Sequence, residues 1–373
     1  MRLLRLWLTD FRCYRELDLM PAPGATVVVG ANGQGKTSLL EAVSWVATAQ
    51  SLRGVPDAVL VRSGSDVAVV RAEFERDGRE QRLEAEIRAA GRNRILVNRR
   101  PLARRRDLAQ SLRVTVFSPD DLELVKGPPA ERRRYLDDLL TASAPRYDAA
   151  RSDFERVLRQ RNALLKSGLH GPDDEFTLDV FDEQLAHAGA ELVRGRLRLA
   201  DRLVGPVVDA YRALAREDVA VTARYEAEWA EGPVGVEHVD SVEQWLRDGL
   251  AARRREELAR ATTLVGPHRD EWRLQLRDLD ARTHASQGEQ RTFALALRLA
   301  GHRVTADVIG EDPVLLLDDV FSELDPQRAA ALVEHLPAGQ TLLTTAGVVP
   351  AGVRPERWLH VDHGTLTERE PEV

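Results

Sequence analysis

The chain has 373 residues, of which 43% are hydrophobic and 30% charged, with a net charge of −7. That length holds one large or two ordinary domains with a real core. No basic-then-apolar leader opens it, and no apolar run approaches ~18 residues, so it reads as a soluble, cytoplasmic protein with no membrane contact. The single cysteine, Cys13, excludes an internal disulfide framework and a multi-cysteine metal site.

In chain order, Leu3 to Leu8 is a short apolar strand, and Val27 to Val29 is a second apolar run. Gly30, Ala31, Asn32, Gly33, Gln34, Gly35, Lys36 and Thr37 follow it and spell GxxxxGK[ST]. Leu39, Leu40, Val43 and Ala47 then recur at helical spacing, which completes the strand–loop–helix setting the motif requires. Glycines let the loop curl so that successive backbone N–H groups face phosphate oxygens. The helix N-terminus adds partial positive charge. In this reading Lys36 reaches the terminal phosphates of a nucleotide and Thr37 gives a hydroxyl to Mg²⁺.

Val67 to Phe74 and Leu83 to Ile87 alternate and are expected to pair. Arg94 to Asn98 and Val114 to Phe117 are further short strands, and Ser118-Pro119 ends regular pairing. Between Arg88 and Arg134 stand 13 Lys/Arg against 5 Asp/Glu, a basic stretch in an acidic chain. Its clusters are Arg99-Arg100, then Arg104, Arg105 and Arg106, then Arg132, Arg133 and Arg134. They are candidate phosphate contacts on DNA, or a solvated, salt-bridged face. Aromatic residues are 5% of the chain and none interleaves with Arg104 to Arg106, so backbone and shape recognition of duplex is expected over single-strand stacking.

From 119 to 261 the pattern is helical, with Phe154, Val157, Leu158 and Leu165 on one stripe into which Arg161 intrudes. Trp245, Leu246, Leu250 and Leu258 mark a second helix. Gly-Pro pairs at 127–128, 171–172, 205–206 and 232–233 break the pattern too often for a long coiled coil. A compact lobe of short antiparallel helices is expected, inserted in an α/β lobe formed by 1–118 and 262–373.

Beyond 262, Arg273 to Leu279 alternates and Gly288 to Ala300 is an apolar helix. Val314 to Leu317 is a buried parallel-type strand, with Leu342 to Thr345 and Trp358 to Val361 as late strands. Val314 to Leu317 ends in Asp318 and Asp319. A buried strand delivers such carboxylates to the sheet edge where phosphates sit. Asp318 is then the candidate Mg²⁺ holder and Asp319 the base that polarises water. Ser286, Gly288 and Gln290 lie at a helix start that can form a second anion site. Ser322 to Asp325 follows the carboxylates, and Asp325 also suits a helix N-cap.

Ser286 to Gln290 resembles the signature of ABC-type ATPases, and Ser322 to Asp325 their D-loop. In that architecture the signature contacts the γ-phosphate held by the opposite subunit, which implies a head-to-tail homodimer closed by ATP. Lys36 and Ser286 are 250 positions apart, too many for a transporter subunit and too few for a head with long coiled-coil arms. The sequence is similar to the RecF family of DNA-repair ATPases. The resemblance rests on Phe11-Arg12 with Tyr14, Gly30 to Thr37, Phe117 to Leu122, Arg159 to Lys166, Leu264-Val265-Gly266-Pro267-His268-Arg269-Asp270, Ser286 to Arg291 and Leu315 to Asp325.

The resemblance implies an ABC-type ATPase head with a P-loop sheet and a compact helical second lobe. It implies weak ATP hydrolysis, DNA binding at gaps and junctions of single- and double-stranded DNA, and help in RecA loading with RecO and RecR. Asp319 stands where ABC ATPases usually carry Glu. The sequence leaves the γ-phosphate sensor unidentified, and no Gln follows the Phe117 strand. Arg12 is read as a nucleotide contact or a surface ion pair, Arg53 as reaching across the dimer or to DNA, and His268 is unassigned. The alternatives are the energy-coupling ATPase subunit of a transporter and a clamp that binds nucleotide without useful hydrolysis.

Overall fold

The computed structural model describes residues 1–102, 108, 111–230 and 232–369. It divides into two units: Met1–Asp121, Ala210–Glu217 and Leu295–Val373 form the first, and Leu122–Asp209 and Asp218–Ala294 the second. In chain order the first elements are β1 (Arg2–Phe11), β2 (Tyr14–Leu19), β3 (Ala25–Val29), α1 (Lys36–Thr48), β4 (Val67–Arg76), β5 (Arg79–Arg88), β6 (Arg94–Val97), β7 (Arg100–Pro101) and β8 (Val114–Phe117). Next come α2 (Glu123–Lys126), α3 (Pro129–Ser143), α4 (Pro145–Ser167), α5 (Pro172–Ala215), β9 (Val221–Glu226), α6 (Val242–Arg260), β10 (Glu271–Leu276) and β11 (Leu279–Asp280). The chain continues with α7 (Ala281–His284), α8 (Gln287–Ile309), β12 (Val314–Asp318), α9 (Pro326–Glu334), β13 (Thr341–Thr345), β14 (Arg357–Asp362) and β15 (Thr365–Glu368).

The first unit holds two six-stranded sheets, in the orders β2-β1-β4-β5-β6-β7 and β15-β14-β3-β13-β12-β8. The former is antiparallel throughout. Its β4–β5 hairpin is the expected pairing of Val67 to Phe74 with Leu83 to Ile87. It turns on Asp77-Gly78, both at positive φ, the dipeptide that a two-residue hairpin turn favours. The second sheet is parallel except for its edge strand β15. Helix α1 packs against strands of both sheets, and Leu39, Leu40, Val43, Trp45 and Val46 are all buried. Burial runs around most of the helix rather than along one stripe, and its single carboxylate, Glu41, is paired with Arg12.

Gln340 is 1% exposed and joins the two layers through backbone bonds. Its Oε1 accepts from Leu3 N at 2.7 Å, and its Nε2 donates to Leu3 O and Ala22 O. His302 is equally buried, with Nδ1 2.9 Å from the Thr115 hydroxyl and Nε2 without a hydrogen-bond partner. Burial lowers its pKa to about 4. Its folded pKa therefore lies below the unfolded value, so its contribution to stability is complete above pH ~6.5 and is lost as pH falls toward ~4. Urea titrations between those limits are expected to show His302→Gln with a shallower pH slope than the parent, by up to about 1.4 kcal/mol per pH unit. An identical slope would exclude His302 as an acid-sensitive group.

The second unit extends beyond the expected 119–261 segment and is not purely helical. Val221–Glu226 is a strand with Val221, Ala223 and Tyr225 buried, and β9 joins β10 and β11 in a three-stranded sheet. The Gly-Pro pairs act unequally. Pro172 opens α5, where its missing N–H costs nothing, and Gly127 ends α2, where a Cβ would clash with Glu123 O. Gly205-Pro206 does not break the 44-residue α5. Buried Leu203, Val207, Tyr211 and Leu214 carry the apolar pattern through it, and packing outweighs the one lost hydrogen bond.

Candidate nucleotide site

The loop from Gly30 to Gly35 joins the end of β3 to the start of α1. Its geometry is fixed by neighbours the motif alone does not name. Gly35 has φ of +117°, and a Cβ there would lie 2.7 Å from Cys13 Sγ and 3.1 Å from the Tyr14 hydroxyl. That hydroxyl donates to Gly35 O at 2.9 Å. A Cβ on Gly30 would lie 2.5 Å from Val361 O, so β14 admits only glycine there. The turn after β14 holds the loop through Gln34: His363 N donates to its Oε1 at 2.7 Å and Gly364 N to its carbonyl at 3.1 Å.

Lys36 is 6% exposed, and its Nζ donates to Gly30 O at 2.7 Å and Ala31 O at 2.9 Å, with Asn32 Oδ1 at 3.4 Å. Burial lowers its pKa, while the charges of Asp319 and Asp318 act in the opposite direction. The two carboxylates arrive through sheet register. β13 lies between β3 and β12, pairing Thr345 with Val29 and Thr344 with Asp318, so all three parallel strands end at one edge. There the Thr37 hydroxyl donates to Asp318 Oδ1 at 3.0 Å, and the Thr344 hydroxyl donates to the same oxygen at 2.8 Å. Burial raises the Asp318 pKa, against the hydroxyls of Thr344 and Thr37 and the nearby charge of Arg53.

Asp319 takes the left-handed conformation at φ +50°, which Asp tolerates better than most residues. Its N–H donates to Thr344 O at 3.0 Å, and its Oδ1 accepts from Ala346 N at 3.3 Å. Thr344 thus holds the carboxylate of Asp318 and the backbone of Asp319. Sequence reading placed Thr344 only in the late strand Leu342 to Thr345; its position beside Asp318 comes from the β13 register, which only the pairing reveals.

A buried lysine, a hydroxyl beside a carboxylate and a loop that requires glycine at both ends, Gly30 and Gly35, at the carboxyl edge of a parallel sheet match the phosphate-binding arrangement. Thr37 and Asp318 offer hard oxygen donors in the small number that Mg²⁺ uses when phosphates complete its shell. Among the described residues no cluster of three or more His, Cys, Asp or Glu offers a metal site elsewhere.

Residues 2–345 match the family model described as RecF/RecN/SMC N terminal domain. A "DNA replication and repair protein RecF" of Streptomyces avermitilis is 43% identical over 98% of this chain and 99% of its own. The corresponding protein of Frankia alni is 45% identical over 96% and 97%. The chain belongs to the RecF family. Its fold is accordingly the RecF/SMC head-like form of the ABC ATPase. The recombination mediator protein RecF of the RecFOR pathway, solved as RecF-ATP, superposes with a TM-score of 0.89 at 28% identity over 99% of both chains. An Smc head from Pyrococcus furiosus, TM-score 0.57 at 17% identity over 98% of this chain and 94% of that one, shares the fold.

The other predicted residues of this RecF-family chain divide sharply. Ser286 is exposed, and its hydroxyl and N–H both donate to Glu289 Oε2 at 2.8 Å, while Glu289 N approaches its Oγ at 3.3 Å. This is a capping box, legible as S-x-x-E, that holds the start of α8. Gly288 lies in its first turn. Gln290 is buried, and its Nε2 donates to Ala281 O and Arg282 O, so its side chain anchors α7 instead of lining an anion site. Asp325 caps α9, accepting from Gln327 N and Arg328 N.

Arg12 pairs with fully buried Glu41 through Nε and Nη2, at 2.8 and 3.1 Å, which makes it an ion pair. Arg53 is exposed. His268 is a neutral structural histidine. Its Nε2 lies 3.1 Å from Thr263 O, its ring packs on Phe154, and burial lowers its pKa to about 4. In the position where a Q-loop was sought, Asp121 is buried, accepts from Ser118 N and pairs with Arg298.

Arg132 is corrected from a DNA contact to a core residue. It is 5% exposed, forks onto Glu271 at 2.7 and 2.9 Å and donates to Leu124 O and Gly127 O. Arg133 is partly buried and donates to Asp270 O. Arg134 is exposed beside Glu131. Arg104, Arg105 and Arg106 lie outside the described residues. Among the described residues no helix is long and apolar enough to cross a membrane.

Proposed function

We propose that this chain is an ATP-dependent, DNA-binding recombination mediator of DNA repair and replication restart, in which ATP closes a head-to-tail homodimer and the dimer gates DNA binding. The observation that carries it is the convergence of Lys36, Thr37, Asp318 and Asp319 on one sheet edge, joined by the 3.0 Å bond from Thr37 to Asp318. Residues Gly30 to Thr37 bind the phosphates of ATP. Thr37 and Asp318 hold Mg²⁺, which when bound offsets phosphate charge. Asp319 accepts a proton from the attacking water, and its reach, shorter than that of Glu, fits slow hydrolysis.

Ser286 and the backbone N–H groups at the start of α8 act on the nucleotide of the partner subunit. The chain works in the cytoplasm with duplex DNA and its junctions with single strands, and with RecO and RecR in loading RecA. The likeness to the recombination mediator RecF of the RecFOR pathway, solved with ATP, supports this reading. Native mass measurement with ATP and duplex DNA, singly and together, tests it: dimer mass is expected only with ATP, and DNA retention only with the dimer. A monomer under all three conditions rejects the reading.

Ser286→Arg separates the two halves of the mechanism. The variant is expected to bind ATP as a monomer like the parent but to lose dimer and hydrolysis, because the bulky cation fills the partner's phosphate site. Its capping loss of about 1 kcal/mol leaves the fold intact. Loss of ATP binding by the monomer would show that the signature acts on its own chain.

A further inference from the structure

Within the second unit, the segment from Thr263 to Asp270 is held by buried charge on several sides. Fully buried Arg161 donates to Asp182, to Glu257 and to the Thr263 hydroxyl, at 2.6, 2.6 and 2.9 Å. Asn162 Oδ1 accepts from Thr263 N and Oγ1, both at 2.8 Å, and Glu257 Oε1 accepts from Leu264 N at 2.7 Å. Arg196 donates to Pro267 O at 2.7 Å and forks onto Asp137. The carboxylate of Asp270 accepts from Trp229 Nε1 and the Tyr225 hydroxyl. Desolvating that many ions gives little net stability, and what it secures is one conformation of the segment.

The side chain this segment presents to solvent is Arg269. Its Nη2 donates to Thr263 O at 3.0 Å, which orients the guanidinium, and no carboxylate among the described residues lies within ion-pair distance. Arg269 lines a cavity of about 410 Å³ together with Arg253, whose Nη2 reaches the Glu228 carbonyl at 3.3 Å and which likewise has no carboxylate partner among the described residues. Pro129 and Leu264 give the cavity apolar wall. Two of its lining glutamates are already committed, Glu271 to Arg132 and Glu256 to Arg260.

We propose that this cavity docks an acidic, apolar peptide segment of a protein partner: a carboxylate is taken by Arg253 and Arg269, and an adjoining aliphatic side chain lies on Leu264 and Pro129. Two unpaired guanidiniums beside apolar surface complement such a segment. A nucleic acid fits poorly. Trp229, the aromatic residue of its lining, is 4% exposed with its N–H spent on Asp270, so no ring face is open for a base. The inference does not depend on the nucleotide site.

The test is fluorescence anisotropy on the full chain with a labelled decapeptide of alternating Glu and Leu, its Gln-for-Glu counterpart and a labelled duplex oligonucleotide. The acidic peptide is expected to bind saturably. The Gln peptide, and the double variant Arg253→Gln/Arg269→Gln with the acidic peptide, are each expected to bind about tenfold more weakly or worse. The variant should keep its melting temperature, its ATP binding and its duplex binding. The proposal is overturned if the acidic peptide does not bind, if either change leaves its affinity intact, or if the variant instead loses the duplex.

Discussion

Lys36→Arg is expected to lower ATP affinity about 100-fold and to abolish ATP-driven dimerisation. Charge is conserved, so the effect comes from shape. The ammonium sits 6% exposed under the loop, within 3 Å of two carbonyls, Gly30 O and Ala31 O. A compact ammonium turns its three donors in that space, whereas a planar guanidinium is longer and fixed in its fork. Val361 on one side of the loop and Cys13 with Tyr14 on the other leave it no room to widen. Losing one or two charge-assisted bonds to phosphate corresponds to about 2–3 kcal/mol, which is the predicted factor. Titration with a fluorescent ATP analogue reads affinity, and native mass reads the dimer. A variant that dimerises normally with ATP would remove Lys36 from the site.

Asp319→Asn is expected to reduce hydrolysis by about 10²–10⁴-fold while ATP still binds and the dimer persists. Asn keeps the left-handed backbone at this position and can still accept from Ala346 N, so geometry survives and only the proton acceptor is lost. Asp318→Asn should behave differently. Its Oδ1 receives both Thr37 and Thr344, so the change disturbs the metal-holding pair itself, and ATP affinity should fall with Mg²⁺ present. Single-turnover hydrolysis with dimer mass in parallel distinguishes the two. The trapped Asp319→Asn dimer should also release duplex DNA more slowly, with a salt dependence that counts the phosphates engaged. One shared phenotype for both variants would mean that the carboxylates do not divide the work.

The phosphate loop, the apolar strand that carries Asp318 and Asp319, and the hairpin of β4 and β5 were legible in the sequence because each is a local pattern. Motif spacing, an unbroken apolar run and an alternation around Asp77-Gly78 need no distant partner to be recognised. The capping box at Ser286 and Glu289 and the cap at Asp325 belong to the same class. The tertiary structure alone decided what depends on residues far apart in the chain. Thr344 lies beside Asp318 only through the parallel register of β13 with β12. Gly205-Pro206 stays helical because packing along α5 outweighs a local preference for breaking.

Most of all, the chain has fifty Arg among sixty Asp and Glu, and composition cannot say which guanidinium meets which carboxylate. Arg132 and Arg134, two residues apart, end as a core anchor and a surface cation. Arg161, an intruder on an apolar stripe by periodicity, proves to be the buried partner of Asp182 and Glu257. The physical reason is that hydrophobic pattern and turn chemistry act over a few residues, whereas the pairing of a buried charge is fixed only when the fold brings its partner to it.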